Sequence, residues 1–197
     1  MAWGGWRAHT FRSALAEAKA LEWYVEYTDP VETIRADWKA AFKKKTWLDG
    51  VTRVAIPTGK TFEQHLSIVL RLNPKVLQID SGASLRDLSA FKPLGRLQTV
   101  WLIGCTGLTN VDALKNLSAL RGVWLIGCTG LTNLDGLKNL SALNALALNG
   151  CTGLTNVDAL KNLPALQVVN LEGCTGLSKE SVAELEAALP DAAVLGR

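Results

Sequence analysis

Histidine is nearly absent from this sequence. Its two copies are His9 and His65, and neither neighbours a serine or cysteine in a recognisable nucleophile motif, so general-base and acyl-transfer chemistry have no evident carrier. Long apolar runs are missing too. No stretch approaches the roughly eighteen residues a membrane span requires, and the opening residues, MAWGGWR, lack the charged start and apolar stretch of a secretory signal. A cytoplasmic location is the expectation. The net charge is only +3, and basic residues cluster once, at Lys43-Lys44-Lys45, where a helix is expected to end and cations suit its dipole. Nucleic acid is therefore not an expected partner. Four cysteines occur without any C-x-x-C spacing, the arrangement zinc sites usually employ, and no metal or cofactor is expected. Half of the residues are apolar and a fifth charged, which suits a protein with an ordered core.

What the chain does have is repetition. Residues 97–119, LQTVWLIGCTGLTNVDALKNLSA, recur from Leu120 as LRGVWLIGCTGLTNLDGLKNLSA, from Leu143 as LNALALNGCTGLTNVDALKNLPA and from Leu166 as LQVVNLEGCTGLSKESVAELEAA. A fixed period in this range signals a solenoid, in which neighbours jointly bury a face that one unit cannot bury alone. In the second unit the apolar positions are Leu120, Val123, Leu125, Cys128, Leu131, Leu134, Leu137 and Leu140. The alternation at positions four and six predicts a short strand with two inward side chains, and the later three-residue spacing predicts a 3₁₀ or loose helical turn.

The phrase LxxLxLxxC, here Leu97, Val100, Leu102 and Cys105, resembles the leucine-rich repeat. Residues 108–114, LTNVDAL, look like bacterial internalin-type repeats, and cysteine at the ninth position is similar to the cysteine-containing subclass. The resemblance implies an α/β fold: a curved parallel sheet on the concave face, short helical or 3₁₀ turns on the convex face, and macromolecular binding on the concave strands.

Counting back by the same period reaches Pro74 and Val51, and both segments keep the pattern, with His65 replacing one aliphatic. The solenoid is thus expected over residues 51–197, with units opening at 51, 74, 97, 120, 143 and 166 and a partial seventh from 189, where Ala192 and Val194 would take positions four and six. Residues 1–50 carry no repeat and hold five of the tryptophans. They read as an N-terminal helical cap: a first helix over residues 11–27, then a second from Asp29-Pro30 to about Lys45, with Glu32 in its first turn. Ser178 opens a true helix that Pro190 ends.

Several features have a plain architectural reading. Cys105, Cys128, Cys151 and Cys174 stack in a row about 5 Å apart, the spacing of neighbouring strands; alternating disulfides or a soft metal site are conceivable, but a ladder of buried thiols is the reading adopted. Gly59-Lys60-Thr61 resembles the tail of a phosphate loop, yet Val54 stands where its first glycine belongs. It reads as a turn. Asp112, Asp135 and Asp158 recur with Lys115, Lys138 and Lys161 three residues on, a spacing for ion pairs along the turns.

The strand face is more informative, because positions three, five and seven point away from the core. Position five runs Ala55, Gln78, Trp101, Trp124, Ala147, Asn170, and position seven runs Pro57, Asp80, Ile103, Ile126, Asn149, Glu172. Trp101, Trp124, Ile103 and Ile126 form an apolar block, rimmed by Gln78, Asp80, Thr99, Asn149, Asn170 and Glu172. An aromatic patch with a polar rim has the composition of an interface core. The expected function is a non-enzymatic module binding a protein partner through these residues. The alternative is a structural component that forms homo-oligomers through the tryptophan patch or the cap. The simplest architectural explanation is that the indoles pack on each other or lie under the tryptophan-rich N-terminus.

Overall fold

The computed structural model describes residues 13–14, 16–18, 24–27, 51–56, 62–80 and 85–196. At its centre is one eight-stranded sheet whose strands follow one another in chain order. β1 (Tyr24–Tyr27) lies antiparallel to β2 (Val51–Ile56). From β2 on, every neighbouring pair is parallel, through β3 (Val76–Asp80), β4 (Thr99–Ile103), β5 (Gly122–Ile126), β6 (Ala145–Ala147), β7 (Val168–Asn170) and β8 (Ala193–Leu195).

From β2 to β7 the sequence period becomes the pairing register. Val54, Leu77, Val100, Val123, Leu146 and Val169 lie side by side across six strands. From Leu77 onward these fourth-position side chains are buried, as are Ile79, Leu102, Leu125, Leu148 and Leu171 at position six. Alternation thus sends one face of every strand into the core. The chain then returns through 3₁₀ turns at Ser89–Phe91, Asp112–Asn116, Asp135–Leu137 and Asp158–Leu160. Their tightness has a local cause. The Asn133 Oδ1 accepts from the Asp135 N–H at 2.6 Å, and Asn156 holds Asp158 likewise, so a side chain satisfies the turn's first free donor and starts a short helix. The three-residue spacing then buries Val111, Leu114, Leu117 and Leu120 in one line. Removing one such leucine, as in Leu102→Ala, is expected to cost about 2 to 5 kcal/mol.

β4 to β7 each leave the sheet at a glycine in the left-handed region: Gly104, Gly127, Gly150 and Gly173 have φ of 65°, 66°, 72° and 73°, where a side chain would be strained. The Gly104 and Gly127 N–H groups donate to the Ile126 and Asn149 carbonyls at 2.7 Å, which extends the ladder around the corner.

The first units depart from this scheme as the sequence anticipates. A full helix, α1 (Phe62–Leu72), replaces the 3₁₀ turn and buries Ile68, Val69 and Leu72. Asn73, at φ 41°, closes it by donating to the Val69 carbonyl at 2.8 Å. Residues 13–14 and 16–18 are helical, with Ala14 and Ala18 fully buried. Glu17 there accepts from Arg71 of α1 at 2.6 Å and from Ser13 at 2.7 Å. Ser13 and Glu17 thereby tie this helical stretch to the first helix of the solenoid.

Two expectations need correction. The first helix does not run to Tyr27: residues 24–27 form β1, because YVEY offers β-branched and aromatic residues to the edge of β2 and a paired strand satisfies that edge. The described residues of the cap are thus part helix and part strand. At the other end α2 (Lys179–Ala188), capped by the Ser178 hydroxyl accepting from the Ser181 N–H at 3.1 Å, takes up more chain than a 3₁₀ turn. Val169 consequently pairs with Val194 and Val168 with Ala193, an offset of 25 residues. Val194, rather than Ala192, therefore takes the fourth position. The second N-terminal helix, His9, Lys43-Lys44-Lys45, Pro57 and Gly59-Lys60-Thr61 lie outside the described residues, as does the side chain of His65.

Candidate functional site

The outward positions of the strands lie where the register demands. Gln78, Trp101, Trp124, Ala147 and Asn170 form one row across β3 to β7, and Asp80, Ile103 and Ile126 form a second. The two indoles stack face to face, with ring centroids 4.3 Å apart and planes 4° from parallel. Their contact is the cross-strand packing that the architectural explanation anticipated. Both tryptophans, Ile103 and Ile126 are half-buried rather than freely exposed, since each indole shields one face of the other.

A residue that sequence reasoning overlooked shapes this pair. A Cβ on Gly122 would collide with Cζ3 of Trp124 and lie 2.5 Å from Cη2. The benzo ring of Trp124 therefore folds back along its own strand and rests on the glycine. The signal was present in the sequence: the two near-identical units differ there, Thr99 against Gly122.

Around the block, polar side chains hold one another. Gln78 Nε2 donates to both carboxylate oxygens of Asp80 at 3.0 Å. Asn149 Nδ2 donates to Glu172 Oε2 at 3.4 Å, and the Glu172 N–H donates to Asn170 Oδ1 at 2.9 Å. Thr99 is half-buried beside Gly122, its partner in register. Next to Trp124 the strand face falls away: β6 presents only Ala145 and Ala147, followed by Val168 on β7, 40% exposed. The structure thus brings together Trp101, Trp124, Ile103 and Ile126, flanked by Gln78 and Asp80 on one side and by Asn149, Asn170 and Glu172 on the other.

Away from this face the architectural readings apply. All four cysteines are free and buried. The Cys151 and Cys174 thiols donate to the Leu125 and Leu148 carbonyls at 2.9 Å, and Cys128 reaches Leu102 at 3.5 Å. These three thiols thereby bond the backbone of the preceding unit. The hydrogen bond with Cys128 and burial hold Cys151 protonated well beyond the ordinary thiol range, and burial pushes Cys174 up. Asp135 pairs with Lys138 at 2.8 Å and Asp158 with Lys161 at 2.5 Å. Lys161 also reaches Glu184 of α2 at 2.8 Å. Below α2 an open cleft of about 660 Å³ is lined by Leu171, Cys174, Leu177 and Val182. Among the described residues no cluster of three or more histidine, cysteine or acidic side chains is placed to hold a metal, and no helix is long and apolar enough to cross a membrane.

No protein-family model matches the chain, and no curated protein matches it in sequence. Solved structures do match in fold. A leucine-rich-repeat protein of Leptospira interrogans aligns with a TM-score of 0.51 and 21% identity, covering 64% of this chain and 32% of its own. An internalin from Listeria monocytogenes aligns at 0.49 with 18% identity, covering 65% and 43%. Internalin C2 of the same organism is 23% identical at 0.39, covering 76% of this chain and 82% of its own. The chain spans less than half the length of the first two. With the 23-residue register and the 3₁₀ returns, the first of these likenesses establishes the leucine-rich-repeat solenoid.

Proposed function

We propose that this leucine-rich-repeat solenoid is a non-enzymatic binding module that takes a protein partner on its strand face, at the Trp101–Trp124 patch. The observation that carries the reading is the stacked indole pair, flanked by Ile103 and Ile126 and framed by hydrogen-bonded polar side chains. Its two large rings are positioned before any partner arrives, which lowers the ordering cost of binding. Buried aromatic anchors with a polar surround are the usual energetic centre of an interface.

The test compares proteins retained from the native lysate by the wild-type chain and by a Trp101→Ala/Trp124→Ala variant, followed by affinity measurement with whatever depends on the indoles. Each single substitution is expected to weaken that partner about tenfold or more. Neither should approach the destabilisation of Leu102→Ala, one residue away but inward. If the tryptophan variants lose no partner, or unfold like the leucine variant, the reading fails.

Val168 and Leu195, both outward on the strand face and 40% and 49% exposed, favour a second reading: self-association through the same surface. Sizing by dilution separates the two. A dimer at micromolar concentration that the double tryptophan variant abolishes would establish the second.

A further inference from the structure

We infer that the strand face is built to receive one planar aromatic side chain, inserted beside Trp124 over Ala145 and Ala147, from a partner segment that carries basic residues on both sides of it. This rests on the strand face being the binding face and specifies what it recognises.

The slot follows from the spacing of the strands. Trp101 occupies one face of Trp124 at 4.3 Å; the opposite face of that indole is turned toward β6. A third ring continuing the stack would therefore sit above β6, because stacked rings and neighbouring strands, about 4.8 Å apart, have nearly the same repeat. From β5 to β7 is two spacings, about 10 Å. A ring in van der Waals contact on both faces needs about 7 to 8 Å.

The floor matches an aromatic in width as well as in depth. Since the Trp124 ring lies back over Gly122, the stack covers positions three and five of its strand together. On β6 both of those positions are alanine. A larger residue at either would fill the space. The far wall is Val168 and Asn170, in register with Ala145 and Ala147.

Charge decides what flanks the ring. Across β3 to β7 the outward positions carry two carboxylates, Asp80 and Glu172, and no lysine or arginine. A partner that covers the face must bring cations to them or bury acids uncompensated. Glu172 stands about one strand spacing, 5 Å, across from Ala147 and Asp80 about three, 14 Å, and both lie two residues further along their strands, about 7 Å, so the separations are about 9 Å and 16 Å. An extended segment crossing the strands advances about 3.3 Å per residue. Its basic residues are therefore expected about three residues from the aromatic on one side and about five on the other.

The experiment selects binders to the full chain from a displayed library of random dodecapeptides, then measures the recovered peptides against variants. The expected peptides share a tryptophan, tyrosine or phenylalanine with lysine or arginine on both sides. Ala147→Leu, which fills the slot from an outward position, should weaken them about tenfold or more, and raised salt should weaken them further. Ala147→Thr, suited to a strand, serves if the leucine variant folds poorly. Peptides that need both tryptophans but tolerate the Ala147 variants, or that lack an aromatic or bear acidic flanks, overturn the slot and leave the binding face standing. Peptides that survive loss of both tryptophans overturn the binding face as well. Recovery of no peptide overturns the slot.

Discussion

Replacing Gly122 with threonine would give the second unit the same third-position residue as the first, and it tests how the indole pair is held. The added Cβ would meet Cζ3 of Trp124 and stand 2.5 Å from Cη2, whereas carbon atoms rest about 3.5 to 4.0 Å apart. Something must move by an ångström or more. The atoms struck belong to the far end of a side chain on an open face, so the ring swings while the backbone stays. What is lost is then the stack, worth about 0.5 to 1.5 kcal/mol beyond area burial, or a fall in melting temperature of about 2 to 4 °C per kcal/mol for a chain of this size. The direct readout is NMR. Stacked rings shield each other, so the indole protons of Trp101 and Trp124 should be shifted upfield in the wild-type protein and return toward ordinary values in the variant. Gly153→Ala provides the contrast, since its Cβ would lie 2.6 Å and 2.9 Å from the Thr129 and Leu131 carbonyl oxygens. Those are backbone atoms, and overpacking of this kind costs about 1 to 3 kcal/mol while leaving the indole shifts in place. Unchanged upfield shifts in Gly122→Thr, at unchanged stability, would refute the account of how the glycine orients the ring.

The thiols should be slow in the folded protein, since all four are buried. Cys174, 8% exposed beside the cleft under α2, should react first with a bulky disulfide reagent, and denaturation should release all four cysteines; rapid labelling of Cys128 or Cys151 ahead of it would contradict the ladder. For pH, the Lys161 hydrogen bond, followed by that of Asn156, lowers the Asp158 carboxyl below its ordinary value, and Asp158, then Glu184, raises Lys161. A depressed acid stabilises the fold above its unfolded pKa and loses that contribution as pH falls through the folded value. A raised amine contributes below its unfolded pKa of about 10.4 and loses the contribution as pH rises through its folded value. The gap in melting temperature between wild type and Lys161→Ala should accordingly be widest between about pH 5 and 9 and close toward both extremes. Both carboxylates are exposed and Lys161 is only half-buried, so the gap should be small. A gap of constant size at every pH would mean that the lysine stem, not its charge, is responsible.

Much of this was legible in the chain because repetition converts sequence position directly into spatial position. Once residues 97–119 and their copies fix the period, the row from Gln78 to Asn170, the buried thiols and the leucine lines follow by counting. Elements without a copy were harder. YVEY at residues 24–27 is too short to outweigh the helical stripe before it, and its partner β2 lies more than twenty residues away. The shifted register of β8 arises from the ten-residue α2, whose length the period does not encode. The indole geometry lay in between. Counting places the tryptophans side by side, but only the space above Gly122 shows which way the rings lean, and with it the bare alanines on β6.

The antiparallel start of the sheet has a consequence for folding. Units that differ at few positions can trade places, and a strand that slips by one whole unit still buries leucine against leucine, so little energy separates correct from displaced stacking in the middle of the array. A ruler with uniform divisions needs a marked end. β1 against β2, with α1 anchored to Glu17 through Arg71, is such a mark, because neither geometry recurs in the later units. α2, with its 25-residue offset to β8, marks the other side. The irregular elements thereby number the regular ones and determine that Trp101 stands next to Trp124 rather than next to another molecule's copy of it.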